Sequence, residues 1–397
     1  MKVLFKNYID TFGGLSKEVW WLALITLINR AGTMVIPFLS LYLTTSLDFS
    51  FSQVGWIMSA FGLGSVAGSF LGGKLTDVFG YYKVMVFSLF TTGLLFIALQ
   101  LMKTFTEFCV GIFLVMLVAD MFRPAMFVAL NTYSKIENKT RSVTLIRLAI
   151  NLGFSAGPAV GGIIITTISY AGLFWVDGIT CILATILLIF TLNPKKARIL
   201  DSEVSESPVS AYKDKPFLIF LIAITLFAIV FIQYFSTMPL FYKEKANLTE
   251  FDIGLLLGLN GFLIFLFEMP LIKWLENSRY RFSILMMFGA AITGLSFVIL
   301  LVSYWIGIIL VGMLLMTLGE MIAFPFSNAF AMKRSKRGKQ GQYMALYAVS
   351  FSVAHLVGHN LGLQMVNQFG FNTTWLFMGL LAALSAVLLL MLKKMTD

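Results

Sequence analysis

Twelve separate stretches of this chain stay apolar for about 20 residues or more, the length an α-helix needs to cross the hydrocarbon core of a bilayer. They cover 19–43, 53–73, 84–102, 109–132, 142–168, 172–192, 216–242, 253–274, 282–303, 306–331, 342–368 and 373–392. In lipid every backbone N–H and C=O must be satisfied within the protein, so segments of this length are expected as helices. Composition agrees, with 59% of residues hydrophobic and 12% charged, about half the charge of an ordinary soluble domain. Twelve spans use up most of 397 residues and leave no room for a soluble catalytic domain. The expected fold class is an all-α integral membrane protein. The first stretch contains Arg30, is longer than a signal-peptide core and lacks a small-residue cleavage pattern, so it reads as a retained first helix.

The formal charge of +10 does not point to nucleic acid, because the basic residues are scattered singly between apolar runs. That is where membrane topology puts them. With the N-terminus cytoplasmic, 23 of the 29 Lys and Arg fall at cytoplasmic ends and loops, three outside (Lys103, Lys243, Lys245) and three within spans (Arg30, Arg123, Arg147). The bias predicts a multi-pass cell-membrane protein with both termini cytoplasmic. Cys109 and Cys181 both lie in apolar runs, which offers neither a disulfide framework nor a metal site.

One long polar break, rich in Ser, Lys and acids, separates span six from span seven. It predicts an N-terminal six-helix bundle over 1–192, a cytoplasmic linker over 193–215 and a C-terminal six-helix bundle over 216–397. The two halves align at an offset of about 200 residues. Lys74, Asp77 and Tyr81 match Lys273, Glu276 and Tyr280, Asp120 matches Glu320, and Gly157-Pro158 matches Gly358-His359. Parallel repeats of this kind place a binding site near the midplane.

The loop after span two carries Gly73, Lys74, Asp77, Gly80 and Lys83. Its pattern of Gly, three residues, Asp, two residues, Gly and a following base resembles the signature of the major facilitator superfamily, although Val78 and Tyr81 stand where that family usually has basic residues. The resemblance implies two pseudo-symmetric six-helix bundles around a cavity lined by spans one, four, seven and ten. It also makes Gly73, Asp77, Gly80 and Lys83 a cytoplasmic gate. Span five holds Gly153, Gly157, Pro158, Gly161 and Gly162, and resembles the fifth-helix motif of that superfamily's twelve-helix drug/proton antiporters. Glycines four apart let another helix approach closely, and proline permits bending.

Charge inside a span is costly, about 2.5 to 3.5 kcal/mol on insertion scales, and needs protein or water around it. Three buried bases, Arg30, Arg123 and Arg147, balance three deep acids, Asp120, Glu268 and Glu320. Asp120 and Arg123 are three apart, which predicts a local pair that keeps Asp120 ionised. Glu268 and Glu320 have no base within a turn, so they are the leading candidates to bind and release protons, with Asp120 third. Asp177 lies about a turn inside span six and reads as interfacial. His355 and His359, one turn apart, are expected in the substrate cavity with Asn29, Asn151, Gln233 and Tyr234. The 39 Phe and 21 Met suit an adaptable apolar pocket.

The expected function is proton-coupled efflux of amphipathic or drug-like small molecules by alternating access. Protons are the coupling ion and no cofactor or metal is needed. The expected partners are the small-molecule substrate and the lipid bilayer, for a monomer. A proton symporter for peptides or another nutrient is an alternative, since Asn29-Arg30-Ala31-Gly32 through Pro37 to Tyr42 is distantly similar to peptide symporters, without the acid-rich first-helix motif of that group. A polytopic membrane enzyme using His355, His359 and a glutamate is a remote third, with no nucleophile motif beside them.

Overall fold

A computed structural model of the chain describes residues 14–32, 34–135, 138–194, 210–335 and 340–395, and among them every regular element is a helix. We number the twelve spans α1 to α12. In the first half they are α1 (Lys17–Thr45), α2 (Phe51–Phe79), α3 (Tyr81–Leu99), α4 (Phe105–Tyr133), α5 (Lys139–Thr167) and α6 (Tyr170–Thr191). In the second half they are α7 (Lys215–Phe235, continued by Thr237–Glu244), α8 (Glu250–Glu276), α9 (Phe282–Leu301) and α10 (Ile306–Ser335), followed by one helical run, Gln340–Met395. That run is broken at Gly370, whose φ of +77° suits glycine, so its arms 340–369 and 371–395 are α11 and α12. Of the linker expected at 193–215, residues 195–209 lie outside the described residues.

Hydropathy does not reveal where helices are interrupted. α1 stops at Ala31 and restarts at Val35, α4 pauses at Asp120 and Met121, and α7 passes through a 3₁₀ turn at Gln233–Phe235. The breaks in α1 and α7 fall at equivalent points of the repeat. The loops that follow these two helices also repeat. Asp48 (φ 54°) and Asn247 (φ 53°) both adopt the left-handed conformation that short polar side chains tolerate best. Two residues later Ser50 with Gln53, and Thr249 with Asp252, bond to each other's backbone and start α2 and α8.

The helix crossings repeat as well, with their glycines 201 positions apart. A Cβ on Gly93 of α3 would lie 2.7 Å from the carbonyl oxygen of Gly178 on α6, and one on Gly294 of α9 would lie 2.7 Å from Ala382 on α12 and 3.5 Å from the Gly379 carbonyl. Gly157 of α5 packs on Ala31 of α1, as Gly358 of α11 packs on Ile229 of α7. Lipid is as apolar as leucine, so close backbone approach does in these spans what solvent exclusion does in water.

By their contacts the described residues form two compact units, one of residues up to 35 with 64–194, the other of 36–63 with 210–395. The first has its core among Leu22, Met85, Leu89, Met126, Leu130, Ile146 and Leu188. The second is built on aromatic rings, with Phe217 against Tyr343 at 4.6 Å and Phe220 against Phe330 at 4.7 Å. The 51–63 arm of α2 joins this second unit through small residues. Asn360 of α11 donates to Ser59 (3.0 Å), Ser59 donates to the Leu356 carbonyl (3.1 Å), and Gln364 donates to Ser52 (2.9 Å).

Candidate functional site

In the second unit, a polar cluster links α8 and α10 in mid-helix. Asn260 of α8 donates from Nδ2 to Thr317 Oγ1 (2.9 Å) and to Glu320 Oε2 (3.3 Å), both on α10. Thr317 in turn donates to the Met313 carbonyl, one turn back on its own helix. Three residues apart, Thr317 and Glu320 share a helix face and can meet one partner. Glu268 on α8 is close enough to act electrostatically on Glu320. Beside the cluster an apolar cavity of about 440 Å³ opens between α8 and α10, with Leu263, Phe267, Leu314 and Met321 in its wall and Thr317 as its hydroxyl. Asn260 and Thr317 were not expected from the sequence; each is a lone polar residue in an apolar stretch.

Two further groups of expected residues belong to this unit. Gln233 is fully buried at the break in α7, where its Nε2 donates to the carbonyls of Ile229 (2.9 Å) and Gly358 (2.7 Å) and its Oε1 accepts from Thr237 (3.1 Å). These bonds tie α7 to α11, with Gly362 leaving the room the amide fills. Tyr234, the next residue, is buried too. His355 Nδ1 and His359 Nε2 of α11 lie 3.3 Å apart, and Phe61 from the α2 arm packs on both rings.

The first unit gathers its charges at the break in α1. Arg30 ends the first segment of α1, its guanidinium lies 5.6 Å from the Phe154 ring centre, and it interacts electrostatically with Asp120, Arg123 and Cys181. Asp120 accepts a hydrogen bond from Ser65 of α2. Arg30 thus acts electrostatically on Asp120 from another helix, and Arg123 is exposed. The α4 interruption at Asp120 and Met121 is a turn whose two residues keep right-handed helical dihedrals. Asn29 donates to Cys181 Sγ at 3.8 Å. Asp177, expected near an interface, is instead completely buried and accepts the backbone N–H groups of Met34 (3.0 Å) and Val35 (2.8 Å). It supplies the partners that an interrupted helix lacks at its restart.

α5 packs its glycine face on this break. A Cβ on Gly153 would come 2.6 Å from Arg30 Cβ and 2.9 Å from the Ala31 nitrogen, and one on Gly157 would come 3.1 Å from the Ala31 carbonyl oxygen. Pro158, Gly161 and Gly162 are buried on the same helix, Asn151 is half-buried and Arg147 is exposed. At the end of α2, Asp77 is exposed, as is Lys83 in the first turn of α3. Gly80 joins the two helices at φ +83°, a conformation that calls for glycine, while a Cβ on Gly73 would meet nothing within 4 Å. Among the described residues no group of three His, Cys, Asp or Glu is placed to hold a metal ion.

A family model described as Major Facilitator Superfamily matches residues 22–359. The protein is similar to the "Uncharacterized MFS-type transporter YqjV" of Bacillus subtilis, at 28% identity over 88% of this chain and 87% of the relative. It is also similar to a "Na(+), Li(+), K(+)/H(+) antiporter" of Planococcus maritimus, at 23% identity over 93% and 94% of the two chains. Among solved structures, a POT family transporter in complex with 5-aminolevulinic acid superposes with a TM-score of 0.83 at 14% identity, covering 96% of each chain. At that identity the likeness speaks for the fold.

Proposed function

The chain belongs to the Major Facilitator Superfamily, and on that footing we propose that it is a proton-coupled antiporter that carries amphipathic or drug-like small molecules out of the cell by alternating access. Membership makes it a multi-pass secondary transporter rather than an enzyme. The observation that carries the proton-coupled reading is the setting of Glu320. It is an intramembrane acid held by two neutral partners in one cluster, Asn260 directly and Thr317 through Asn260, with a second acid, Glu268, in electrostatic reach. An acid so placed can change its charge without breaking an ion pair, which is what carrying a proton requires. Asp120, on which Arg30 acts electrostatically, is the contrasting case, and in this reading it stays ionised and orients helices or substrate. Asp77 and Lys83 act as the gate, and the glycine face of α5 as the packing surface on which α1 moves.

Proton binding must favour one access state over the other, otherwise nothing is coupled. The span-five motif supports export of a drug-like substrate, while the cavity beside Thr317 supplies an apolar wall with a single hydroxyl, suited to the apolar part of such a molecule. We place the protein in the cell membrane as a monomer with both termini cytoplasmic. A second reading, exchange of monovalent metal cations for protons, is favoured by the relative of that printed name, which aligns along nearly the whole chain.

The experiment uses purified protein in liposomes with an imposed pH gradient. Drug-like cations that accumulate against their gradient, and collapse the pH gradient as they move, support the first reading. Collapse by Na⁺, Li⁺ or K⁺ alone supports the second. A pH gradient that neither class dissipates, and that drives neither, contradicts both.

A further inference from the structure

Glu320 is held by an amide, and an amide has two unlike ends. Asn260 Nδ2 carries two hydrogens and has two acceptors in front of it, Thr317 Oγ1 at 2.9 Å and Glu320 Oε2 at 3.3 Å. Thr317 donates its own hydroxyl proton to the Met313 carbonyl at 2.9 Å. These bonds suit an ionised Glu320, which can only accept. Among the described residues no hydrogen bond reaches the other end of the amide, Asn260 Oδ1.

A proton on Glu320 changes what the carboxyl requires. Its new O–H needs an acceptor, whereas the Nδ2 in front of it is a donor. The amide can meet that need by turning over about its terminal torsion, which is broad and roughly two-fold. Oδ1 then stands where Nδ2 stood, with two lone pairs for two donors, the Glu320 O–H and the Thr317 hydroxyl. The Met313 carbonyl gives up the Thr317 hydroxyl and keeps its backbone partner within α10. Nothing is lost at the other end, because Oδ1 held no bond there.

Of the helices packed on α10, α8 brings Glu268 and α7 brings Tyr234 into electrostatic reach of Glu320. α9 carries no titratable side chain, and α11 carries Tyr343, Tyr347, His355 and His359. The other titratable groups of these helices and of α10 and α12 sit in end turns: Lys215, Tyr242, Lys243, Glu244, Glu250, Asp252, Lys273, Glu276, Lys333, Arg334, Lys393 and Lys394. Such groups influence when Glu320 takes up its proton. The amide bonded to it decides what that proton then meets.

On the reading that Glu320 takes up the coupling proton, we propose that Asn260 reads its charge by turning the amide: NH₂ toward α10 while Glu320 is ionised, C=O toward α10 once it is protonated. α8 stays tied to α10 in both charge states, and the end of the amide turned away from α10 changes from acceptor to donor. One proton thus removes two acceptors, the carboxylate and the Asn260 carbonyl. Asn260 is a positioning residue that sharpens the competition between a proton and a positively charged or N–H-bearing substrate.

The test is infrared difference spectroscopy of the full chain in nanodiscs between pH 9 and pH 5, with asparagine carrying ¹³C in its side-chain carbonyl. A carboxylic C=O band that appears on acidification and is missing in Glu320→Gln belongs to Glu320. A labelled amide C=O band should move to lower frequency with the same midpoint, because that carbonyl gains two hydrogen bonds, and the movement should be missing in Glu320→Gln. Asn260→Leu should abolish the amide shift and keep the Glu320 band. Thr317→Val, which leaves Asn260 in place and removes one of the two donors, should keep part of the shift. A Glu320 band with no amide shift overturns the proposal and leaves the proton reading standing, as does an amide shift of full size in Glu320→Gln or in Thr317→Val. Absence of a Glu320 band overturns both.

Discussion

Asn260 on α8 reaches Glu320 on α10 with an amide hydrogen bond of 3.3 Å, and the same nitrogen reaches Thr317 at 2.9 Å. A single side chain therefore holds the carboxylate that we propose carries the proton. Asn260→Ala removes the donor for both partners and leaves them buried, at a cost of about 1–2 kcal/mol. Melting in detergent should fall accordingly, and gradient-driven flux should fall more than substrate exchange does. Unchanged melting together with unchanged coupling would show that the amide holds nothing of consequence.

The α5 glycines should differ in the order of their clearances. Gly153→Ala drives a methyl group into Arg30 Cβ and the α1 backbone at 2.6–2.9 Å, whereas Gly157→Ala meets a carbonyl at 3.1 Å that needs to give only slightly. Overpacking typically costs about 1–3 kcal/mol, so Gly153→Ala should lower the melting temperature clearly and Gly157→Ala less. Gly73→Ala, with open space around it, should be neutral or gain up to about 1 kcal/mol from helix propensity. Differential scanning fluorimetry of the three variants checks the ranking.

Asp214, just before α7, ties three helices of the second unit. Arg334 of α10 donates to both its oxygens at 2.7 Å, Tyr343 of α11 donates at 2.9 Å, and the Phe217 N–H at the start of α7 donates at 3.3 Å. Partial burial works to raise its pKa, but the hydrogen bonds from Arg334 and Tyr343 and the charge of Arg334 outweigh it and hold the carboxyl below its usual range. A depressed acid stabilises the fold fully above its unfolded value of about 3.9 and loses that contribution as pH falls through the lower folded value. Asp214→Ala should thus cost about 3 kcal/mol at neutral pH, the scale for breaking a buried pair, and the gap between variant and parent should narrow only below about pH 4. Melting curves from pH 7 down to pH 3.5 test both the size and the sign.

Much of this architecture could be read from residue order alone, because a bilayer demands long apolar helices and the charges between them report the turns. The repeat was legible too, and more of it than Asp120 with Glu320 or Gly157 with Gly358. The pattern Asp48, Ser50, Gln53 recurs as Asn247, Thr249, Asp252 at a similar offset, and Gly93 and Gly178 recur as Gly294 and Gly379. What hydropathy could not convey was where a helix stops within its own span. The break in α1 turns Asp177 from a surface acid into a buried cap, and Asp120 meets a charge from another helix, Arg30, which hydropathy does not reveal. Gln233 looked like a cavity residue because it is polar in an apolar run, yet its amide is spent on backbone carbonyls freed at the break in α7. Asn260 escaped notice because its importance lies in a neighbour 60 positions away.

The central claim is that Glu320 carries the coupling proton, and Glu320→Gln tests it most directly. Glutamine keeps the shape and can still bond Asn260, but it cannot release a proton. Substrate exchange across proteoliposomes with equal pH on both sides is compared with accumulation driven by a pH gradient, for variant and parent. The account predicts exchange within about threefold of the parent and loss of gradient-driven accumulation, a loss of coupling without loss of binding. Uphill transport by Glu320→Gln with an unchanged pH dependence would contradict it and move the role to Glu268.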